Sequence, residues 1–208
     1  MHNQQNHNKR VALVTGGNRG IGFEIARQLA ARDIAVMIGT RNREQGRQAQ
    51  ERLKREGLDV DFTFLDVTDA LSIQTAVGRI KDNCRRLDIL VNNAGIMVDA
   101  STKITELNVT ILQNTLETNA VGPLLLSQAC LPLMKANRYG RIVNLSSILG
   151  SLTDIASPES VHADVQAPCV RRKSENKKYS GRNPEIAAAL APGAQGDVCA
   201  AQPDVIAA

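Results

Sequence analysis

The chain has 208 residues, the length of one average domain or of one domain with a tail. Its formal net charge of +4 is too small to indicate a nucleic acid or a membrane as partner. Hydrophobic residues make up 43% and charged residues 22%, which is typical of a globular protein and not of a disordered polymer. Aromatic residues make up only 2%, which argues against a surface that stacks bases or sugars.

No apolar run approaches the ~20 residues that cross a bilayer, and the best of them, at 121–134, contains Pro123 and Pro132. The first ten residues are polar throughout, so they lack the apolar core of a signal peptide. The 4 cysteines show no CxxC spacing, which predicts reduced thiols and no metal site. We therefore expect a cytoplasmic protein without a membrane partner.

Short β-branched runs alternate with longer segments of helical period between Arg10 and Ser147. Strands are predicted at 11–15, 35–40, 62–67, 87–95 and 141–147. Helices are predicted at 21–31, at 43–56, from a cap at Thr68 or Asp69 to about 85, and at 105–137. Strands separated by such helices indicate right-handed βαβ crossovers. The predicted fold class is therefore α/β, a doubly wound parallel sheet of the Rossmann-like type.

The periodicity stops after about Ser160. Residues 161–208 combine a basic cluster with an Ala/Gly/Pro/Gln-rich end, a composition that buries too little apolar surface to offset the entropy of ordering. We predict a disordered N-terminus at 1–9, a Rossmann-like domain at 10–160 that is truncated at its C-terminal side, and an irregular tail at 161–208. The abrupt change suggests the hypothesis that the reading frame is shifted or misjoined after Ser160, which translation of the DNA in its other frames would test.

The segment TGGNRGIG at 15–22 lies between the first predicted strand and the first predicted helix. Gly16, Gly20 and Gly22 have GxxxGxG spacing, which differs from the GxGxxG dinucleotide fingerprint but serves the same physics. Glycines allow a tight turn and a close approach to a pyrophosphate, and a helix N-terminus offers unpaired amides to phosphates. The alternative is an ordinary glycine-rich turn, which the placement between a buried strand and an amphipathic helix disfavours.

Further motifs follow this turn in a fixed order: Asp66, Asn92-Asn93-Ala94-Gly95, Asn119 and Ser146-Ser147. In this order the chain, over about residues 9–160, resembles the short-chain dehydrogenase/reductase family, and within it the carbonyl-reductase-like branch. The resemblance implies a five-stranded sheet of order 3-2-1-4-5 and a nicotinamide dinucleotide as cofactor.

The resemblance assigns a role to each matching position. It implies that the pyrophosphate is lined by Gly16, Asn18, Gly20, Ile21 and Gly22. Asp66 would accept a hydrogen bond from the adenine amino group beside the Val67 backbone, the alternative for Asp66 being a helix cap. The adenosine ribose would lie over Asn93, Ala94 and Gly95.

The choice between NAD and NADP follows from the charges near the second strand. An NAD-selective site needs a carboxylate at the end of this strand, whereas the chain has Gly39-Thr40-Arg41 there and Arg19 in the glycine turn. Two guanidinium groups suit a 2′-phosphate, which a carboxylate would repel. NADP(H) is therefore the predicted cofactor, the alternative being two solvated surface arginines.

The resemblance implies that Ser147 polarises a substrate carbonyl and that Asn119 anchors a water relay. The Tyr and Lys that complete the family's site as YxxxK are absent, since Val143 and Asn183 lie four residues after Tyr139 and Tyr179. General acid–base catalysis is typically worth ~10²–10⁴-fold, so we expect little turnover.

Two hypotheses about function remain. The first is an NADP(H)-dependent oxidoreductase of small-molecule carbonyls or alcohols that is impaired here, and the second is a non-catalytic dinucleotide-binding remnant or interaction protein. Nucleic-acid binding by the basic cluster at 171–182 is disfavoured because acidic residues nearby dilute the cluster and Tyr179 is its only aromatic side chain. The resemblance implies a homo-oligomer, but the helix that forms the family's usual interface is missing.

Overall fold

The computed structural model describes residues 9–98 and 106–147. The predictions for the N-terminus, for the end of the domain and for the irregular tail lie outside these residues. The strands are β1 Val11–Thr15, β2 Ala35–Thr40, β3 Val60–Phe64, β4 Ile89–Asn92 and β5 Arg141–Asn144. The helices are α1 Gly20–Ala30, α2 Arg43–Arg55, α3 Ala70–Cys84, α4 Val109–Leu116 and α5 Gly122–Ala136.

The five strands form one sheet in the order β3-β2-β1-β4-β5, and every pairing is parallel. Strand β1 is central, with Val14 opposite Ile38 of β2 and Val91 of β4. Both the predicted α/β class and the predicted strand order are confirmed. Because the chain leaves β1 toward β2 and later returns to the other side of β1, a crevice forms beyond the carboxyl ends of β1 and β4.

Two apolar clusters cover the two faces of the sheet. Alternate residues of β1 divide between them: Val14 packs with Leu29 of α1 and Leu53 of α2, whereas Leu13 packs with Ile80 of α3 and Leu126 of α5. This alternation explains why β1 reads as a continuous apolar run, since both faces of a doubly wound sheet are buried. No helix within residues 9–98 and 106–147 has the length and apolar character to span a membrane.

The long helical stretch predicted at roughly 105–137, with Asn119 interrupting it, is divided at that residue in the structure. The described part consists of α4, a π-helical turn over Glu117–Val121, and α5. Pro123 stands in the first turn of α5 and has no N–H to donate into the preceding turn. Single π turns inside α-helices are frequent at functional sites, and this one contains Asn119.

Asp88 fixes the amino-terminal edge of the sheet. Its side chain is completely buried and accepts hydrogen bonds from the Val11 N–H at 2.8 Å and from Arg86 Nε and Nη2 at 2.8 and 2.7 Å. Its backbone carbonyl accepts from the Arg141 N–H at 2.8 Å, so one residue connects the starts of β1, β4 and β5. The hydrogen bond to Asp88 raises the pKa of Arg86.

Replacing Asp88 by Ala is expected to lower the free energy of unfolding by about 3 kcal/mol, because it orphans the buried Val11 N–H and removes two charge-assisted hydrogen bonds from the partly exposed Arg86. Urea unfolding followed by circular dichroism measures this loss. The matched control is Asp61→Ala, which breaks the exposed Lys54–Asp61 pair (3.1 Å) and should cost less than about 1 kcal/mol. Equal losses in the two variants would show that Asp88 has no special role.

Candidate functional site

The turn after β1 uses two glycines in left-handed conformations. Gly16 has φ +65° and Gly20, where α1 begins, has φ +59°. Residues with a Cβ rarely adopt these angles, so the backbone conformation of the turn requires glycine at both positions. The Gly16 N–H also donates to the Gly39 carbonyl at 2.7 Å, which ties the turn to the end of β2.

Glycine is required at position 22 for a different reason, the close packing around it. A Cβ at this position would lie 2.3 Å from Asn93 Nδ2 and 2.5 Å from the Gly16 carbonyl oxygen. The first turn of α1 therefore packs directly onto the glycine turn and onto the segment that follows β4. Gly22 is thus required by close packing whether or not a ligand is bound.

The N-terminus of α1 is open to an anion. Its N-cap residue, Arg19, makes no side-chain capping bond, and no acidic residue lies in the first turn. In contrast, α2, α3 and α4 are capped by the side chains of Asn42, Asp69 and Asn108. Among residues 9–98 and 106–147, no side chain accepts from the first-turn amides of α1, and the bend before them is rich in glycine, an arrangement that fits a pyrophosphate group.

Thr15 joins the end of β1 to the end of β4. Its buried hydroxyl oxygen accepts from the Asn93 and Ala94 N–H groups at 3.0 and 2.8 Å, and the hydroxyl donates to the Val91 carbonyl at 3.3 Å. Asn93 Nδ2 in turn donates to the Thr15 carbonyl at 2.7 Å. Sequence reasoning missed Thr15, for which the available signal was one hydroxyl at the end of an otherwise apolar strand.

Asp66 has a structural task that the sequence did not indicate. Its Oδ1 accepts from both the N–H and the hydroxyl of Thr68, at 3.0 and 2.8 Å. The alternative reading of Asp66 as the helix cap does not hold, because Asp69 caps α3 by accepting from the Leu71 N–H at 2.9 Å. Within the described residues Asp66 Oδ2 makes no hydrogen bond, so one carboxylate oxygen remains as an acceptor.

The neighbouring Val67 is buried against the start of α5. A Cβ at Gly122 would lie 2.7 Å from the Val67 carbonyl oxygen, so α5 approaches the segment after β3 very closely. This contact places the π-helical turn beside the carboxyl ends of the strands.

Asn119 holds the segment that follows β4. Its Oδ1 accepts from the Ile96 N–H at 2.9 Å, and its Nδ2 donates to the Ile96 carbonyl at 2.8 Å. Ile96 follows Gly95 directly, so the Asn119 amide anchors the end of the NNAG motif. Both polar ends of the side chain are thus engaged with backbone, and the water relay stays a prediction.

Ser147 lies three residues beyond the end of β5 and is half-buried. The segment leading to it is anchored by Asn92, whose Nδ2 donates to Asn144 Oδ1 at 2.8 Å and whose carbonyl accepts from the Leu145 N–H at 3.0 Å. Asn92 Oδ1 is buried and has no hydrogen-bond partner among the residues that the structure describes.

The predicted arginines lie at the surface near β2. Arg19 and Arg41 are both exposed, and neither guanidinium has a partner within the described residues. Arg43 differs, because its guanidinium stacks over the Phe64 ring at 4.5 Å. Asn18, predicted to line the pyrophosphate, donates from Nδ2 to Gln45 Oε1 at 2.8 Å.

The predicted cofactor residues thus lie beyond the carboxyl ends of four neighbouring strands, β1 to β4. Within the described residues no group of His, Cys, Asp and Glu side chains is arranged to hold a metal ion. A doubly wound sheet with a glycine turn and an open helix N-terminus at its switch point defines the class of dinucleotide-binding α/β proteins.

Comparison with known proteins narrows this class. Residues 10–158 match the sequence profile described as short chain dehydrogenase. Over 168 residues the chain is 39% identical to (+)-neomenthol dehydrogenase of Arabidopsis thaliana, covering 70% of this chain and 56% of the relative. It is 36% identical over 184 residues to (-)-isopiperitenone reductase of Mentha piperita, covering 69% and 58%. The chain belongs to the short-chain dehydrogenase family, and it spans somewhat more than half the length of these relatives.

Solved structures agree in fold. A metagenomic short-chain oxidoreductase in complex with NADP superposes with a TM-score of 0.64 at 30% identity, covering 68% of this chain and 64% of that one. Actinorhodin polyketide ketoreductase with NADPH gives a TM-score of 0.66 at 31% identity, covering 77% and 59%.

Gly22→Ala is expected to destabilise the fold by about 3 kcal/mol, because the added Cβ must displace backbone and a buried amide. Gly78→Ala is the matched control, since a Cβ at this position in α3 would meet nothing within 4 Å. It should stabilise the chain by about 0.5–1 kcal/mol through helix propensity. Urea unfolding measures both values, and the same sign for the two variants would refute the packing argument.

Asn119→Ala is expected to speed hydrogen exchange of the Ile96 amide about tenfold, because both bonds to this backbone unit are lost. Asn119→Asp keeps an acceptor for the Ile96 N–H and should retain part of the protection. Asn114→Ala, an exposed change on α4 without a described partner, is the control. Unchanged exchange in Asn119→Ala would mean that the loop is held by other contacts.

Proposed function

We propose that this chain binds NADP(H) at the carboxyl ends of β1 to β4 and is an NADP(H)-dependent oxidoreductase of small-molecule carbonyls or alcohols whose turnover is impaired. The observation that carries the proposal is the uncapped N-terminus of α1, which lies in the glycine turn at the switch point of the sheet. Family membership and the two neighbours solved with NADP or NADPH support it.

Different residues of the site bind different parts of the cofactor. The pyrophosphate is held by the turn residues Gly16, Asn18, Gly20, Ile21 and Gly22. The unengaged Oδ2 of Asp66 accepts from the adenine amino group next to the Val67 backbone.

Other residues of the same site bind the adenosine ribose and its 2′-phosphate. The floor under the adenosine ribose is formed by Asn93, Ala94 and Gly95. The two unpaired guanidinium groups, Arg19 and Arg41, bind the 2′-phosphate. When bound, the nicotinamide would supply a hydride to the carbonyl carbon of a substrate.

The protein's own catalytic groups are incomplete. Ser147 donates a hydrogen bond to the carbonyl oxygen, and Asn119 keeps the segment after Gly95 in place beside it. Hydride addition leaves an alkoxide that needs a proton, and no YxxxK pair occurs in the 208 residues to supply one. This absence favours the second candidate, a dinucleotide-binding protein without catalysis, in which the same site binds NADP(H) but does not turn over.

The phosphate contacts predict a preference that titration can measure. NADPH should bind about 10- to 100-fold more tightly than NADH, since charge-assisted hydrogen bonds to the phosphate contribute about 1.5–3 kcal/mol. Arg41→Ala should remove most of this difference without changing NADH affinity. Arg43→Ala is the control, because the guanidinium that it removes stacks over the Phe64 ring. It should keep the parent ratio of NADH Kd to NADPH Kd.

Titrations of the full chain, read by calorimetry or by the fluorescence of the reduced nicotinamide, give these constants. Absence of NADPH binding would refute the proposal. Addition of an activated ketone and measurement of NADPH consumption separate the two candidates. We expect rates about 10²–10⁴-fold below those of a short-chain reductase with YxxxK. Rates equal to such an enzyme would show that another residue supplies the proton.

A further inference from the structure

We propose that Gln45 is a positioning residue for cofactor selection, and that it sets the preference for NADP over NAD by holding the two arginine-bearing segments at a fixed separation. The inference rests on the proposed function, because it concerns the same 2′-phosphate site. Gln45 belongs to none of the motifs that carry the resemblance to the family.

Gln45 is hydrogen-bonded to both segments. Its side-chain Oε1 accepts from Asn18 Nδ2 at 2.8 Å across a separation of 27 residues. Its backbone N–H donates to Asn42 Oδ1 at 2.9 Å, which fixes Gln45 in the first turn of α2. One residue therefore connects the glycine turn to the turn between β2 and α2.

The two arginines are the sequence neighbours of the two partners. Arg19 follows Asn18, and Arg41 precedes Asn42. A backbone hydrogen bond also joins the glycine turn to the end of β2, since the Gly16 N–H donates to the Gly39 carbonyl at 2.7 Å. Among the side-chain hydrogen bonds of the described residues, the Asn18–Gln45 bond is the one that connects the glycine turn with the start of α2.

This connection matters because of the freedom of the arginine side chains. Both guanidinium groups are exposed and unpaired in the described part of the chain, so each loses rotamer freedom when it binds a phosphate. Two cations bind one phosphate together only when their backbones are held at the required spacing, and a preorganised spacing lowers the ordering cost. NADH lacks the 2′-phosphate, so its binding does not depend on that spacing.

A purely structural role predicts a different outcome. The Asn18–Gln45 bond is exposed, and loss of an exposed bond has little effect on stability. The Gln45 N–H survives replacement of the side chain, so the cap of α2 is retained. A change in cofactor preference without a change in stability would therefore distinguish positioning from packing.

The experiment titrates the full chain with NADPH and with NADH in parent, Gln45→Ala and Gln48→Ala. The control residue Gln48 lies on the same helix, is exposed and donates to Glu44 instead of the glycine turn. In Gln45→Ala we expect the ratio of the NADH Kd to the NADPH Kd to fall about three- to tenfold, the loss typical of one hydrogen bond, with the urea midpoint unchanged. Any effect of the freed Asn18 side chain at the pyrophosphate acts on both cofactors and therefore cancels in this ratio. Gln48→Ala should keep the parent ratio.

Gln45→Glu provides a second test, because its carboxylate still accepts from Asn18 Nδ2. The added charge should lower NADPH affinity at low salt, and screening at high salt should return the ratio to that of the parent at the same salt. Gln45→Ala should stay below the parent at both salt concentrations.

Two failures can be told apart. If the parent binds NADPH no better than NADH, the proposed phosphate site is wrong and the role of Gln45 is overturned with it. If the parent prefers NADPH and Gln45→Ala has the same ratio, only the role of Gln45 is overturned and the proposed function stands.

Discussion

The fold and the candidate site depend on the hydrogen bonds between Thr15 and the segment after β4. The buried Thr15 hydroxyl accepts from two backbone amides across a gap of 78 and 79 residues, and the Asn93 side chain returns a bond to the Thr15 carbonyl. These bonds hold the glycine turn against the NNAG motif at the switch point of the sheet. They also explain Gly22, since the Asn93 amide occupies the space that a Cβ would need.

The sheet is fixed at both of its edges by buried polar groups of different character. At the amino-terminal edge, Asp88 combines a buried carboxylate with Arg86 and the Val11 N–H. At the carboxyl edge the contacts between the glycine turn and the segment after β4 are neutral, made by hydroxyl, amide and backbone groups. Because no acidic residue lies in the first turn of α1, no carboxylate of that turn compensates the positive end of the helix, an electrostatic condition that favours a phosphate ligand.

Several side chains that the family resemblance assigns to chemistry also hold the backbone. Asp66 makes a local turn with Thr68, and Asn119 anchors both polar atoms of Ile96. Substitutions at these positions therefore affect stability and ligand binding together. Arg41 is different, because it is exposed and free of described partners, and its replacement tests the phosphate site alone.

The sequence by itself determined the α/β class, the order of elements and the positions of the glycine turn, since these depend on local periodicity and on backbone angles available to glycine. Through the family resemblance it also indicated the strand order. Only the tertiary structure decided that Thr15, Gln45 and Asn92 connect distant segments and that Asp66 and Asn119 bind backbone. Except for the local turn at Asp66, these contacts join residues that are 23 to 79 positions apart in the chain. The physical reason is that no local pattern encodes which distant partner a polar side chain meets.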